Sequence, residues 1–258
     1  MTADLPFDEG FDDPVLDPGV WLPHYLPHWS SRAESAAAYD IAGSCLRLHL
    51  PEHHPLWCPD DHPPLRVSGI QSGVFSGPVG STIGQQPVRP GAVVKEEQAP
   101  LRGWMPRYGH LEMRARARLT PRSMVAWWLV GLEDRPERCA ELCVMEVFGD
   151  AVEPGVSAAV GMGTHPFRDP RMVEDFAAPR LALDVTKFHT YAVDWRAEQA
   201  VFLVDGEPVR TVGVTPDYPM QSMLAVFDFP GKAVPGEPYT EPELVVDRIR
   251  GPASASGV

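Results

Sequence analysis

The sequence predicts an all-β protein built as a two-sheet, jelly-roll-like β-sandwich with a concave face. Turn signals recur about every ten residues, and no helical periodicity extends beyond two turns. The run Gly109–Leu119 alternates polar with apolar side chains, the clearest period-two pattern in the chain. The run Val125–Gly131 is nearly continuous apolar, as expected for a strand buried on both faces. Such strands bury their apolar sides when two sheets pack face to face.

The length and the charge of the chain limit its domain organisation and the partners that it can bind. The 258 residues fit one large β-domain, and we expect residues 1–258 to form it. The formal net charge is −13 and no Lys/Arg-rich stripe interrupts it, so the chain would repel a phosphate backbone and we expect no nucleic-acid partner. No apolar run approaches the ~18 residues of a membrane span. We expect a monomer that uses no cofactor.

The first ten residues lack the basic and apolar regions of a secretory signal. Either the protein stays in the cytoplasm or this chain lacks its signal. At the other end, the small residues 251–258 are expected to fray.

The proline-rich segment between residues 51 and 64 contains four possible metal ligands, which are weak evidence for a metal site. They are His53, His54, Cys58 and His62. Structural zinc sites usually show paired ligands at defined spacing, which this loop lacks. We therefore predict no metal, and the histidines are expected to be solvated. The four cysteines show no CxxC spacing, and a bridge between Cys45 and Cys58 stays open.

Two glutamates interrupt an apolar run in the middle of the chain. In a regular strand Glu141 and Cys143 would face one side and Glu146 the other. One bulged residue at Val144 or Met145 would turn all three to the same face. The carboxylates would then approach the ~5–5.5 Å separation used by retaining glycosidases. The alternative is a pair of solvent-facing acids on an edge strand.

Segments around this strand resemble family 16 glycoside hydrolases. In that family the active-site strand has the motif Glu-x-Asp-x-x-Glu or Glu-x-Asp-x-Glu, and here Cys143 replaces the Asp. Five further segments follow the family's order. They are Tyr108–Arg116, Val125–Gly131, Phe188–Trp195, Val201–Gly206 and Glu243–Arg250.

The resemblance implies a retaining endo-glycosidase that cleaves a β-1,3 or mixed β-1,3/1,4 glucan. It makes Glu141 the nucleophile and Glu146 the acid/base. Cys143 would occupy the position of the assisting Asp, and a thiol is a poorer hydrogen-bond donor. Two other hypotheses stay open. One is a carbohydrate-binding protein with weakened or lost turnover, and the other is an acidic interaction module that has no groove beside Glu141.

The resemblance also implies substrate-binding residues. It assigns Trp128 to the groove, which leaves Trp127 in the core. Glu112 and Arg114 correspond to residues that the family places on the concave face against sugar hydroxyls. His165 corresponds to an active-site polar residue of the family, or is structural.

The amino-terminal residues 1–30 are dense in proline and aromatic side chains, which predicts an ordered loop without a helix or central strand. Trp29 in this loop either packs it down or borders a sugar-binding groove. Many relatives bind calcium through an amino-terminal Asp-Glu-Phe segment and a late Asp. Here Gly10 stands where the acid belongs, and Asp247 alone does not predict calcium.

Overall fold

The computed structural model describes residues 7–255, and its regular elements are almost all strands. In chain order the strands are β1 Phe7–Glu9, β2 Tyr39–Ile41, β3 Leu46–His49, β4 Arg66–Gln71, β5 Gly73–Val74, β6 Leu101–Arg102, β7 Gly109–Arg118, β8 Ser123–Gly131, β9 Glu141–Phe148, β10 Val152–Glu153, β11 Ser157–Ala159, β12 Gly161–His165, β13 Asp175–Ala177, β14 Arg180–Leu181, β15 His189–Trp195, β16 Ala200–Val204, β17 Glu207–Val212, β18 Met220–Asp228 and β19 Glu243–Gly251. The one α-helix among these residues, α1, spans Arg32–Ser35, and three single 3₁₀ turns cover Pro27–Trp29, Gly149–Ala151 and Pro230–Lys232.

Two antiparallel sheets form a sandwich, so the predicted all-β, jelly-roll-like fold is confirmed. The larger sheet has eight strands in the order β17-β16-β15-β7-β19-β3-β2, with β1 added beside β19. The smaller has six strands in the order β13-β12-β9-β8-β18-β4. The acidic strand β9 therefore lies inside the six-stranded sheet, between β8 and β12. The single-domain organisation of residues 1–258 stays a prediction.

The main core lies between the two sheets, and strand alternation supplies it. From β7, Leu111, Met113 and Ala115 point inward and are fully buried, while the polar residues between them face out. From β8, Trp127 and Leu129 meet them from the six-stranded sheet. Burying side chains of this size stabilises the fold by about 1.5–3 kcal/mol each.

A second apolar layer covers the outer face of the six-stranded sheet. Trp128 and Phe227 from the sheet pack there against Tyr25, Leu26 and Trp57 from the loops. The sheet is therefore buried on both sides, as the nearly continuous apolar sequence of β8 predicted. The covering loops decide how much of this outer face solvent can reach.

Within residues 7–255, the segments next to both chain ends are held to the sandwich. The described part of the amino-terminal loop begins with a short strand, β1, that pairs with the last residues of β19. The tail is not frayed up to Ala255, because the Trp104 indole donates to the Pro252 carbonyl and Ala255 donates its amide to Met105. Residues 256–258 lie outside the described part of the chain.

Candidate active site

Strand β9 contains the predicted bulge. Cys143 lies opposite Trp128, but Met145 lies opposite Trp127, so β9 has one more residue than its neighbour at this point. Its other neighbour, β12, shows the same irregularity. Val144 and Met145 both point into the inter-sheet core, where each is 1% exposed. As a result Glu141, Cys143 and Glu146 face the outer side of the six-stranded sheet together, and we call this side the acidic face.

Glu141 is buried on the acidic face at the start of β9. Its Oε1 atom accepts a hydrogen bond from Nε2 of Gln86, and its Oε2 atom accepts a weak one from the Cys143 thiol at 3.8 Å. Burial raises the pKa of Glu141 to about 8, and the negative charge of Glu146 adds to the increase. The two hydrogen bonds favour the ionised form but do not outweigh burial.

Glu146 lies four ladder positions from Glu141 along β8 and is only partly buried. Burial raises its pKa, while a hydrogen bond with Cys143 and the charge of His165 oppose that increase. Cys143 is fully buried between the two acids, and burial with both neighbouring charges raises the pKa of its thiol well above the usual range. It therefore stays a thiol and serves as a weak donor.

His165 completes the cluster from the neighbouring strand. It pairs with Glu141 across the β12–β9 ladder. One ligand atom each from Glu141, Cys143 and His165 lie within 4.8 Å of one another. The His165 Nδ1 atom hydrogen-bonds Glu174 at 2.7 Å, and the ring stacks on Phe176 with centroids 4.7 Å apart. These contacts fix the ring at the edge of the acidic face.

The sequence model of Glycosyl hydrolases family 16 matches residues 104–229, a span that contains β7 to β18 and the whole acidic cluster. Residues 104–229 belong to this family. Two carboxylates on one face of a bulged strand fit the family's strand motif with its longer spacing. No curated protein matched the sequence.

Solved structures with the same fold include an endo-β-galactosidase and laminarinases. The GlcNAcα1-4Gal releasing endo-β-galactosidase from Clostridium perfringens matches with a TM-score of 0.78 and 24% identity over 95% of this chain. The chain spans 62% of that protein. The laminarinase catalytic domain from Thermotoga petrophila matches with a TM-score of 0.64 and 16% identity, over 95% of this chain and 96% of its own. A Flavobacterium laminarinase matches with a TM-score of 0.61 and 18% identity, over 95% of this chain and 98% of its own.

Trp128 lies on the acidic face and Trp127 lies in the core, and a substrate-binding role for Trp128 stays a prediction. Trp128 is opposite Cys143 in the ladder, and its ring packs against Tyr25 and Phe227 at centroid distances of 6.4 and 6.2 Å. Only 5% of its surface is exposed, so in this conformation the aromatic neighbours cover most of its ring. The Trp127 indole donates to Ser222 within the interior.

Glu112 and Arg114 do not belong to the site, so the roles transferred to them are wrong. Both lie on β7, which is part of the eight-stranded sheet, and they point away from the core on its outer side. Glu112 pairs there with Arg250, and Arg114 pairs with Asp247. The alternation of β7 separates its polar from its apolar face, but it does not say which of two sheets the strand joins.

Trp29 does not border a groove, because it is 1% exposed and its indole donates to the Gln85 carbonyl. The alternative interpretation, that it packs the loop down, is the one that the structure shows. The adjacent His28 is likewise buried, with Nε2 against the same carbonyl. Together they anchor the amino-terminal loop to the segment that carries Gln86.

Two elements of the site were missed by the sequence analysis. The side-chain amide of Gln86 reaches Glu141 from a loop, and its backbone N–H donates to Glu133. Glu133 also pairs with Arg168. Burial raises the pKa of Glu133 to about 7 even with Arg168 beside it. A cavity of about 500 Å³ lies beside this loop and is lined in part by Ile83, Glu133 and Arg168. The positive φ angles of Gln86 and Glu133 leave no signature in the sequence.

The proline-rich loop does not bring its four possible metal ligands together. His54 hydrogen-bonds the Val67 carbonyl, and the Cys58 thiol donates to the Trp29 carbonyl. Of the residues that the structure describes, only Glu141, Cys143 and His165 bring three candidate ligand atoms together. Cys45 and Cys58 are both free thiols.

Two acids near the family's calcium segment are paired with arginine. Arg248 donates to Asp8, and Arg114 to Asp247. Within residues 7–255, no helix has both the length and the apolar composition to cross a membrane.

Proposed function

We propose that the chain is a retaining glycoside hydrolase in which Glu141 is the nucleophile and Glu146 the acid/base. The observation that carries this proposal is the bulge at Val144, because it turns both carboxylates to one face with Cys143 between them. Retaining glycosidases need two such carboxylates with different environments. Glu141 is enclosed and hydrogen-bonded by Gln86, whereas Glu146 is more open to solvent and to a leaving group.

In the first half of the reaction Glu146 gives its proton to the glycosidic oxygen as that oxygen's bond to the anomeric carbon breaks. A Glu141 oxygen forms a new bond to the same carbon, which gives a glycosyl ester and a free alcohol. In the second half the Glu146 carboxylate takes a proton from water. The water oxygen attacks the anomeric carbon and Glu141 leaves as a carboxylate.

The raised pKa values of both glutamates mean that the pair retains a proton near neutral pH. Hydrolysis requires that this proton sit on Glu146 when the bond breaks. Positive charge that develops on the sugar ring beside Glu141 favours its ionised form, and this places the proton on Glu146. Gln86 supplies the stronger of the two hydrogen bonds to the nucleophile, because a thiol donates weakly.

The substrate we propose is a β-glucan with β-1,3 or mixed β-1,3/1,4 linkages, cut at internal bonds. The laminarinases of the same fold support this choice. A second candidate is a β-galactoside-containing glycan, since the endo-β-galactosidase matches with a TM-score of 0.78 against 0.64 and 0.61 for the laminarinases.

The test is hydrolysis of a substrate panel by the purified full chain. Laminarin, a mixed-linkage β-glucan and β-galactoside glycans would be incubated separately, and new reducing ends would be counted. We expect one class to be cleaved with retention of anomeric configuration, read by proton NMR of the first product. Binding of a glycan without new reducing ends would favour the carbohydrate-binding alternative. An inverted product would exclude the assigned nucleophile.

A further inference from the structure

Cys143 changes the chemistry of the acidic face because it gives a soft ligand to a place that otherwise holds oxygen and nitrogen ligands. The cluster of Glu141, Cys143 and His165 offers one oxygen, one sulfur and one nitrogen, all within 4.8 Å of one another. Carboxylate, thiolate and imidazole are the three side-chain types that bind Zn²⁺. The cluster lies on two adjacent, hydrogen-bonded strands, which hold its ligands in place.

The distances suit a small tetrahedral ion after slight closure. At usual Zn–S and Zn–O lengths, two ligands of one tetrahedron lie about 3.6 Å apart. The Cys143 Sγ atom and the Glu141 Oε2 atom are 3.8 Å apart. The ligand atom of His165 lies within 4.8 Å of the other two, so it must approach them by at most about 1.5 Å to reach zinc-ligand spacing.

His165 is held by a carboxylate in the manner of a zinc-bound histidine. Its Nδ1 atom hydrogen-bonds Glu174 Oε1 at 2.7 Å, which leaves Nε2 as the nitrogen free to bind. Metal-binding histidines commonly use their second nitrogen for such a carboxylate, which fixes the ring and raises its basicity. This contact comes from a fourth residue outside the cluster, Glu174, and it prepares the imidazole for a cation.

The charges nearby also favour a cation. Glu141 and Glu146 have no Lys or Arg salt-bridge partner among residues 7–255. Arg168 pairs with Glu133 instead. A divalent ion would compensate the negative charge of this buried group of acids.

We propose that Glu141, Cys143 and His165 form a binding site for zinc or a similar soft divalent ion, with water completing the coordination. Binding replaces the thiol proton of Cys143 with a metal–sulfur bond and releases that proton to solvent, with no change of oxidation state. If the proposed function holds, the bound ion also inhibits hydrolysis, because it occupies the nucleophile Glu141. Metal binding itself does not depend on that function.

The experiment uses the full chain without a histidine tag, in a Cys45→Ser background, since Cys45 is the only one of the four thiols that is not buried. Equilibrium dialysis with Zn²⁺ measures stoichiometry, and Co²⁺ serves as a spectroscopic probe of thiolate coordination. We expect one ion per chain, a sulfur-to-cobalt charge-transfer band, and a higher thermal midpoint with Zn²⁺.

Variants assign the ligands. Cys143→Ser should abolish the charge-transfer band and weaken zinc affinity at least about 100-fold, and Glu174→Gln should weaken it about 10–100-fold. Cys139→Ser, a buried thiol outside the cluster, is the matched control and should keep both signals. Glu146→Gln should keep the band even though it removes the proposed acid/base, which separates metal binding from catalysis.

Two results would overturn the proposal. One is a parent chain that binds no Zn²⁺ in dialysis and gives no charge-transfer band with Co²⁺. The other is a folded Cys143→Ser variant, verified by circular dichroism, that binds Zn²⁺ as tightly as the parent.

Discussion

The Sγ atom of Cys143 lies 3.8 Å from the Oε2 atom of Glu141, and the thiol is fully buried there. This is the position at which the family's strand motif has Asp. A carboxylic acid can donate or accept a strong hydrogen bond as the charge on a neighbour changes, whereas a thiol donates only weakly. The strong hydrogen bond to Glu141 comes instead from Gln86, which belongs to a distant loop.

Cys143→Asp should raise glycan hydrolysis above that of the parent chain. The aspartate would restore a strong hydrogen-bonding partner beside the nucleophile and share the proton that the two glutamates hold. The measurement is kcat/KM from a reducing-sugar assay on the substrate that the panel identifies. Cys143→Asn, similar in shape but unable to carry charge, is the control and should not show the gain. If Cys143→Asp and the parent are both inactive, the carbohydrate-binding alternative replaces the enzyme.

Glu141→Gln and Glu146→Gln should each remove hydrolysis of an unactivated glycan. A general acid typically contributes ~10²–10⁴-fold, and the covalent pathway cannot proceed without the nucleophile's carboxylate. Initial rates of both variants, compared with the parent, test this. Glu112→Gln is the matched control, because Glu112 lies on the other sheet, and its rate should stay within about twofold of the parent. A Glu146→Gln variant with the parent's rate would refute the acid/base assignment.

Trp128→Ala should weaken both glycan binding and folding stability. Its ring supports the acidic face and packs on Tyr25 and Phe227, so truncation leaves a cavity that costs about 3–5 kcal/mol. Denaturant unfolding gives the stability, and KM gives the binding. Trp127→Phe provides the contrast, because Trp127 lies in the inter-sheet core and its replacement should lower stability without changing KM. The opposite pattern would mean that the two rings have been assigned to the wrong faces.

Glu133→Gln should make the stability of the protein less sensitive to pH. Burial raises the pKa of Glu133 from 4.5 to about 7, so the folded state binds this proton more tightly than the unfolded state. The stabilisation is full below about pH 4.5 and is lost as pH rises through about 7, with a magnitude on the order of 3 kcal/mol. The test compares unfolding free energies at pH 5 and pH 8 for parent and variant. An equal fall in stability for both chains would contradict the assignment.

Local periodicity was enough to predict the fold, but not which strands share a sheet. Period-two alternation in β7 and the apolar run of β8 gave the right elements and the right buried sides. The error with Glu112 and Arg114 arose because alternation fixes the two sides of a strand and leaves its partners undetermined. Partners are chosen by contacts between residues far apart in sequence, such as Ala115 with Val246.

Within the site, residues on one strand were predictable and residues brought in by loops were not. The spacing of Glu141 and Glu146 required a bulge, since a shared face was impossible without one. Gln86 and Glu133 reach the site through positive-φ backbone, and glutamine or glutamate in such a place has no distinctive sequence pattern. Trp29 was uncertain because an aromatic residue in a proline-rich loop fits a buried anchor and an exposed platform equally well.

The bulge in β9 means that this strand can gain or lose one residue between its two glutamates while both carboxylates keep the same position. From Glu141 to Glu146 the strand spans five residue steps, while the facing strand β8 covers the same distance from Val130 to Ala126 in four. Deleting Val144 would leave five residues that alternate regularly and keep both glutamates opposite the same partners. The two forms of the family's motif have one or two residues between the Asp and the last Glu. Both forms therefore give the same arrangement of carboxylates.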